Sequence, residues 1–301
     1  MDSSITLKNI NDLVVEKINI PIETRPVRGA EIVSDAYTNI FIIGSTNAGK
    51  TSLIFKLLKE FCGKSTKIIA FVSTLLNDTS WISIRKYFDK KGIEFEGYTS
   101  ITEDGRNHLN ELVEDLTLEA KDREEKEDAK EEDKEEVQQV DIFELMRKRI
   151  NFVKVDEENS VPQEKKEKKS KYLDPEYVIV CDDLASEIKT PQFANLLKSA
   201  RHFHLKTITS TQYLKDLLPS ARAQVRVVCA FGGLSKDKLE ELHKFLNIRL
   251  PISLFMILYK YATTPSKQNP KPFMFINPQK EDYRVSLNKR FIIPEHMILN
   301  T

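Results

Sequence analysis

The sequence predicts an α/β fold: a mostly parallel β-sheet with helices on both faces and an antiparallel pair closing it. Three observations lead there. Short apolar runs alternate with helix-period segments along the chain. The runs NIFII, KIIAFV and YVIVC have no polar alternation, as expected of strands buried on both faces. A strand pair, Phe273–Ile276 and Tyr283–Leu287, is separated by only a short polar turn.

The elements follow in order. Residues 1–35 alternate weakly (Leu13, Val15, Ile18, Ile20) and carry Pro21 and Pro26, an N-terminal arm with at most one edge strand. Asn39–Ile43 is a buried strand ending at Gly44. Leu53, Leu57, Leu58 and Phe61 then recur at helical spacing, and Gly63 is placed to close that helix. Lys67–Ser73 is a second strand. Trp81–Lys91 and His108–Leu118 read as helices, the latter with Leu109, Leu112, Val113 and Leu116 on one stripe. Tyr177–Cys181 is a strand. Thr190 and Pro191 are the N-cap and first residue of a helix bearing Phe193, Leu196, Leu197 and Ala200. Thr207–Thr211 and Val225–Phe231 are further strands. Ser235 caps a helix, and Phe255–Tyr261 is a second helical stretch.

Composition bounds the rest. The chain of 301 residues is 40% hydrophobic, enough for a sizeable core, and its formal net charge is zero. That zero averages unlike regions. Glu119–Glu136 holds eleven acidic and five basic residues, a net of −6, which leaves about +6 on the remainder. This excess is compatible with a nucleic-acid partner but too small to argue for one. Residues 119–172 read as a surface insertion: a charged run to about Gln139 that is either a solvated charged helix or disordered, the more apolar Asp141–Phe152, then basic and polar Gln163–Lys171. The domain division is therefore an arm at 1–35, a core at 36–287 interrupted by the insertion, and a tail at 288–301. Cys62, Cys181 and Cys229 are far apart with no CxxC spacing, so neither a zinc site nor a disulfide framework is expected. No apolar run approaches ~18 residues and no basic-then-apolar leader opens the chain, so an intracellular protein without a membrane span is expected.

The chemistry centres on Gly44-Ser45-Thr46-Asn47-Ala48-Gly49-Lys50-Thr51, followed by Ser52, which fits G-x-x-x-x-G-K-[ST] between a strand and a helix. The chain has only 9 glycines, and two of them stand here. Such a loop turns backbone N–H groups and a helix N-terminus toward phosphate oxygens. Lys50 meets the β- and γ-phosphate charge, and the Thr51 hydroxyl is a ligand for Mg²⁺. ATP and Mg²⁺ are the expected ligands; a glycine-rich turn is the bland alternative.

Val178-Ile179-Val180-Cys181 delivers Asp182 to the carboxyl edge of the sheet, where ligands bind in such folds. Asp182 is the candidate second metal ligand, and Asp183 the candidate that polarises the attacking water. Adjacent acids here also suit an ordinary turn. Gln212 ends the strand TITSTQ. Beside the γ-phosphate it could sense that group or position water; otherwise it is a solvated strand end.

Together the segments GSTNAGKT, VIVCDD, ITSTQ and PSARAQVR, in that order, resemble the FtsK–HerA superfamily of DNA-pumping ATPases. The resemblance is greatest to the genome-packaging ATPases of poxviruses, other large DNA viruses and Polinton-like elements. Ser199–Gln212 (SARHFHLKTITSTQ) is similar to that branch's Arg-His element, and Phe273–Leu287 to its closing strands with Tyr283-Arg284. The likeness spans about Ala36–Leu287 without the insertion. Asp182-Asp183 departs from the Asp-Glu of many members, and the charged insertion exceeds the family core. The resemblance implies a RecA/FtsK-like P-loop NTPase in a homo-oligomeric ring of six or five subunits. It implies translocation of double-stranded DNA into a capsid at a virus assembly site, with a capsid or portal-vertex protein as a further partner. It also implies an arginine finger from a neighbouring subunit, for which Arg222 and Arg226 are the candidates and Arg201 the runner-up, against the alternative that each is a surface arginine. Other P-loop machines, plasmid-transfer ATPases or helicases, form a second class. A nucleotide-dependent switch forms a third, although no N/T-K-x-D base-reading motif is present.

Overall fold

The computed structural model describes residues 23–126, 170–294 and 297. Eleven strands and seven helices are described. The strands are β1 (Asn39–Ile43), β2 (Lys67–Val72), β3 (Phe95–Tyr98), β4 (Thr102–Glu103), β5 (Arg106–Asn107), β6 (Tyr177–Asp182), β7 (Leu205–Thr211), β8 (Val227–Phe231), β9 (Phe273–Asn277), β10 (Asp282–Val285) and β11 (Lys289–Arg290). The helices are α1 (Lys50–Phe61), α2 (Thr79–Lys91), α3 (108–126), α4 (Pro191–Lys198), α5 (Pro219–Arg222), α6 (Lys236–Phe245) and α7 (Ile252–Ala262).

Nine strands form one sheet in the order β11-β10-β9-β8-β1-β7-β6-β2-β3. From β8 to β3 every pairing is parallel, and β9, β10 and β11 add antiparallel at the other side. The expected α/β class, mostly parallel with a closing antiparallel pair, is the class observed. The central strands β1 and β8 are buried at every position because helices cover both faces. On one face Ile40, Ile42, Val178, Val180 and Ile208 pack against α1 and α2 through Leu53, Leu57, Trp81 and Phe88. On the other, Phe41, Ile43, Ile179 and Cys181 meet Leu116, Phe193, Leu197, Leu242 and Phe255. The two sets alternate along each strand, as the period-2 pleat requires. No helix among the described residues is long and apolar enough to cross a membrane.

Several expectations change. Gly63 does not close α1: the helix ends at Phe61 with Cys62 extended, and the next turn is set by Gly63 N–H donating to Thr66 Oγ1 at 3.0 Å. The glycine is required for space, since a Cβ there would stand 2.1 Å from Asp174 Oδ2. That carboxylate is held by Arg28 and by the Ser170 hydroxyl. The expected arm at 1–35 ends in structured chain: Ile32 and Val33 are buried, and Val27 bridges Leu173. The alternating residues before Pro21 lie outside the described part.

The insertion expected at 119–172 is shorter among the described residues. Helix α3 continues through 119–126 with Ala120 buried, Glu119 accepting from the Tyr177 hydroxyl and Arg123 paired with Glu176. Charge density hid the packing rather than the helix, because only one helix face is needed for it, and Leu109, Leu116 and Ala120 supply that face. At the far side, residues 170–175 are already tied to the N-terminal segment by the bridge and clamp above. The rest of the charged run and Asp141–Phe152 lie outside the described residues. The tail expected from 288 begins with β11, which pairs with β10.

Candidate nucleotide site

The loop Gly44–Thr51 leaves β1 and enters α1. Its two glycines serve different needs. A Cβ on Gly44 would stand 2.8 Å from Cβ of Phe231 on the neighbouring strand, so Gly44 is chosen for room. Gly49 has φ of 107°, in the left-handed region that side chains avoid, so it is chosen for conformation. Asn47, with φ of 61°, makes the other unusual bend, and asparagine tolerates it. Ser45, Thr46, Asn47 and Ser52 are exposed, and Ala48, Gly49 and Thr51 are half-buried. The loop runs directly into α1, so the N–H groups of the first helical turn and the positive end of the helix dipole face it.

Lys50 is buried, and its ammonium donates to the carbonyls of Gly44 at 3.1 Å and Ser45 at 3.2 Å. Its charge is thereby held at the mouth of the loop, 4.0 Å from Asp183 Oδ1. Thr51 Oγ1 donates to Asp182 Oδ2 at 3.4 Å. Trp81 Nε1 donates to that same oxygen at 3.2 Å. Burial pushes the Asp182 carboxyl above the ordinary range, and the neighbouring Asp183 charge adds to this; the buried Ser210, the Trp81 N–H and Lys50 oppose it. Ser210 is opposite Asp182 in the parallel register of β6 and β7. Its hydroxyl is fully enclosed and has no hydrogen bond of acceptable geometry, so its influence on Asp182 is one of proximity.

This set suits a magnesium ion. Thr51 and Asp182 supply oxygen ligands beside the phosphate loop, and a hard cation that keeps several waters needs few protein groups. Among the described residues no group of three or more His, Cys, Asp or Glu could hold a metal.

Asp183 is 46% exposed and its backbone is left-handed, with φ of 55°. The bend turns its side chain out of the strand line toward Lys50, while its N–H donates to Ser210 O at 3.2 Å. Gln212 reaches the loop: its Nε2 donates to Thr46 Oγ1 at 3.3 Å. It does so because β7 lies between β1 and β6 in the sheet. Lys50, Thr51, Asp182, Asp183 and Gln212 are therefore brought together at one carboxyl edge.

The arginines are not part of this cluster. Arg226 and Arg201 are exposed where β8 and β7 begin, at the opposite edge of the sheet. Arg222 is engaged in its own subunit, donating to Leu217 O at 2.9 Å and lying 3.7 Å from Glu241. Three residues that the sequence reading passed over do sit at the site. Trp81 and Ser210 flank Asp182, and the stem of Lys271 lies 3.2 Å from where a Gly49 Cβ would be. Ser210 stands within the TITSTQ strand and was open to a period-2 reading; Trp81 and Lys271 carry no spacing signal.

The fold is α/β, with a glycine-containing loop joining the central strand β1 to helix α1. No protein-family model matches the chain, and no curated protein matches it in sequence. Among solved structures, it is similar to the genome packaging NTPase of Sulfolobus turreted icosahedral virus 2 in complex with AMP, with a TM-score of 0.48 and 14% identity over 86% of this chain and 100% of that one. It is similar to the DNA-packaging ATPase of Sulfolobus turreted icosahedral virus, with a TM-score of 0.47 and 16% identity over 82% of this chain and 95% of that one. The cytoplasmic domain of the Type VII secretion ATPase EccC of Thermomonospora curvata has a TM-score of 0.40 and 12% identity, over 88% of this chain and 25% of that one.

Proposed function

We propose that the chain is a Mg²⁺-dependent ATPase that moves double-stranded DNA, as the genome-packaging motor of a virus or virus-like element. The observation that carries the ATPase reading is the convergence of Thr51 and Asp182 on one point at the phosphate loop. The DNA reading is supported by the motif set around it and rests on resemblance.

In this reading the loop N–H groups and Lys50 bind the triphosphate. Lys50 stays close to the γ-phosphate, where charge develops as the bond to the bridging oxygen breaks. Thr51 and Asp182 would hold the cation, which would supply divalent charge to the phosphate oxygens. Asp183, exposed and close to Lys50, orients the attacking water and accepts its proton. Gln212 moves between Thr46 and the γ-phosphate and so reports which nucleotide is present. A neighbouring copy in a homo-oligomeric ring supplies an arginine; Arg226 and Arg201 are exposed and in no ion pair among the described residues. A capsid or portal-vertex protein at the assembly site is the partner that such a motor requires.

The test is ATP turnover by the purified protein with and without double-stranded DNA, alongside its oligomer mass. Turnover that rises with DNA in a ring-sized assembly is expected. Turnover indifferent to DNA overturns the motor reading, and nucleotide binding with no turnover leaves a switch.

A further inference from the structure

We propose that Trp81 is a positioning residue for the metal-holding carboxylate, its indole N–H fixing the orientation of Asp182. The inference rests on the nucleotide-site reading above and concerns a residue which that reading does not use.

Trp81 is the one tryptophan of the chain, and it is fully buried. It stands in the first turn of α2, which Asp78 caps by accepting from Ser80 N–H at 2.7 Å. Ile84 and Phe88, further along α2, anchor the helix in the apolar layer formed with α1. This docking sets the α2 N-terminus above the end of β6, and the indole N–H meets Asp182 Oδ2 there.

The choice of side chain is informative. A buried indole brings one donor and no acceptor, with a large apolar body. It can hold a carboxylate oxygen but cannot ligate a cation. Serine, asparagine or neutral histidine at the same place would present a lone pair and compete with Asp182 for the metal. Oδ2 thus receives two donors, Thr51 from the phosphate loop and Trp81 from α2, while Oδ1 receives no hydrogen bond of good geometry among the described residues. The carboxylate is held by one oxygen and leaves the other for coordination. Groups that orient a metal ligand in this way commonly alter metal affinity by about 10–100-fold when removed.

A tryptophan placed only for packing would leave metal affinity unchanged when its N–H is lost. The decisive variant replaces Trp81 in the full chain with benzothienylalanine, which has sulfur in place of the N–H and nearly the same shape. The probe is a methylanthraniloyl-labelled ATP, whose binding is followed by its own fluorescence during a Mg²⁺ titration. The expected result is a Mg²⁺ midpoint raised about tenfold, with binding in EDTA unchanged. Trp81→Phe should shift the midpoint the same way and also lower Tm, because it removes volume. In the unsubstituted protein the single indole should change emission as Mg²⁺ is added with ATPγS, and Asp182→Asn should abolish that change.

An unaltered Mg²⁺ midpoint in the benzothienylalanine protein overturns the inference while leaving the nucleotide site standing. Failure of the unsubstituted protein to bind the labelled ATP at any Mg²⁺ concentration overturns both.

Discussion

Thr51 Oγ1 and Asp182 Oδ2, 131 residues apart in the chain, meet at 3.4 Å. One belongs to the helix after β1 and the other to the end of β6, with β7 lying between those strands. The contact exists only because two parallel crossovers return both strand ends to the same edge.

The two groups should act as a unit on the metal. Thr51→Val and Asp182→Asn should each raise the Mg²⁺ concentration needed for half-maximal turnover by about tenfold or more. The double variant should cost less than the sum of the two, because they share one site. Strict additivity in the Mg²⁺ titration would separate them.

Lys50 and Asp183 should fail differently. Lys50→Ala removes the cation at the loop mouth, so turnover should disappear; turnover equal to the unsubstituted protein sinks the site assignment. Asp183→Asn keeps the shape and loses the base, so ATP and Mg²⁺ should still bind while hydrolysis slows by about 10²–10⁴-fold. If hydrolysis persists at full rate, Gln212→Ala is the next variant, since Gln212 is the other group placed to orient water.

The arginines call for a mixing experiment. Arg222→Ala/Arg226→Ala, with Lys50 intact, should bind ATP and hydrolyse it poorly. Adding Lys50→Ala chains that keep both arginines should restore part of the turnover, because each chain brings one half of a shared site. Inactive mixtures in which mixed assemblies are shown to form exclude this pair and turn attention to Arg201. The internal contacts of Arg222 single out Arg226 as the member of the pair to test alone.

Lys206 makes stability depend on pH. Its side chain is fully buried, donating to Asp35 O and lying 4.7 Å from the Phe61 ring centre. Burial pushes its pKa from 10.5 down to about 7, only partly opposed by the Asp35 charge. Between those two values the unfolded chain holds a proton that the folded chain has released, so this group makes stability rise with pH across the window. Lys206→Met should remove that rise and stabilise the protein near pH 7 by on the order of a few kcal/mol. Denaturant unfolding at several pH values compares the two slopes; parallel slopes reject the assignment.

Two parts of the charged run should respond differently to deletion. Removing 127–139 should leave Tm within a few degrees, because the segment has too little apolar content to hold up a core. Removing 119–126 should lower Tm much more, through loss of Ala120 packing and the Glu119 and Arg123 contacts with Tyr177 and Glu176. Equal Tm losses would contradict the continuation of α3.

The sequence by itself determined the strand–loop–helix unit around Gly44–Thr51, because every part of it is local. An apolar run, two glycines at fixed spacing, and a helix-period stripe lie within some twenty residues. It likewise determined that Asp182 would end a buried strand. The edge strands β3 and β11 escaped notice because they are short and carry Glu96, Gly97, Lys289 and Arg290, which only pairing to a formed sheet makes strand-like. The reason for Gly63 escaped for a similar cause: its constraint is the Asp174 carboxylate, more than a hundred residues away. Tertiary structure alone decided that β7 separates β1 from β6. That order puts Gln212 on Thr46 and Ser210 beside Asp182, and it leaves Arg201 and Arg226 at the far edge. It alone brought Trp81 onto Asp182. Strand order and helix docking depend on which apolar faces bury each other across the whole chain, and local period and spacing carry no record of that choice.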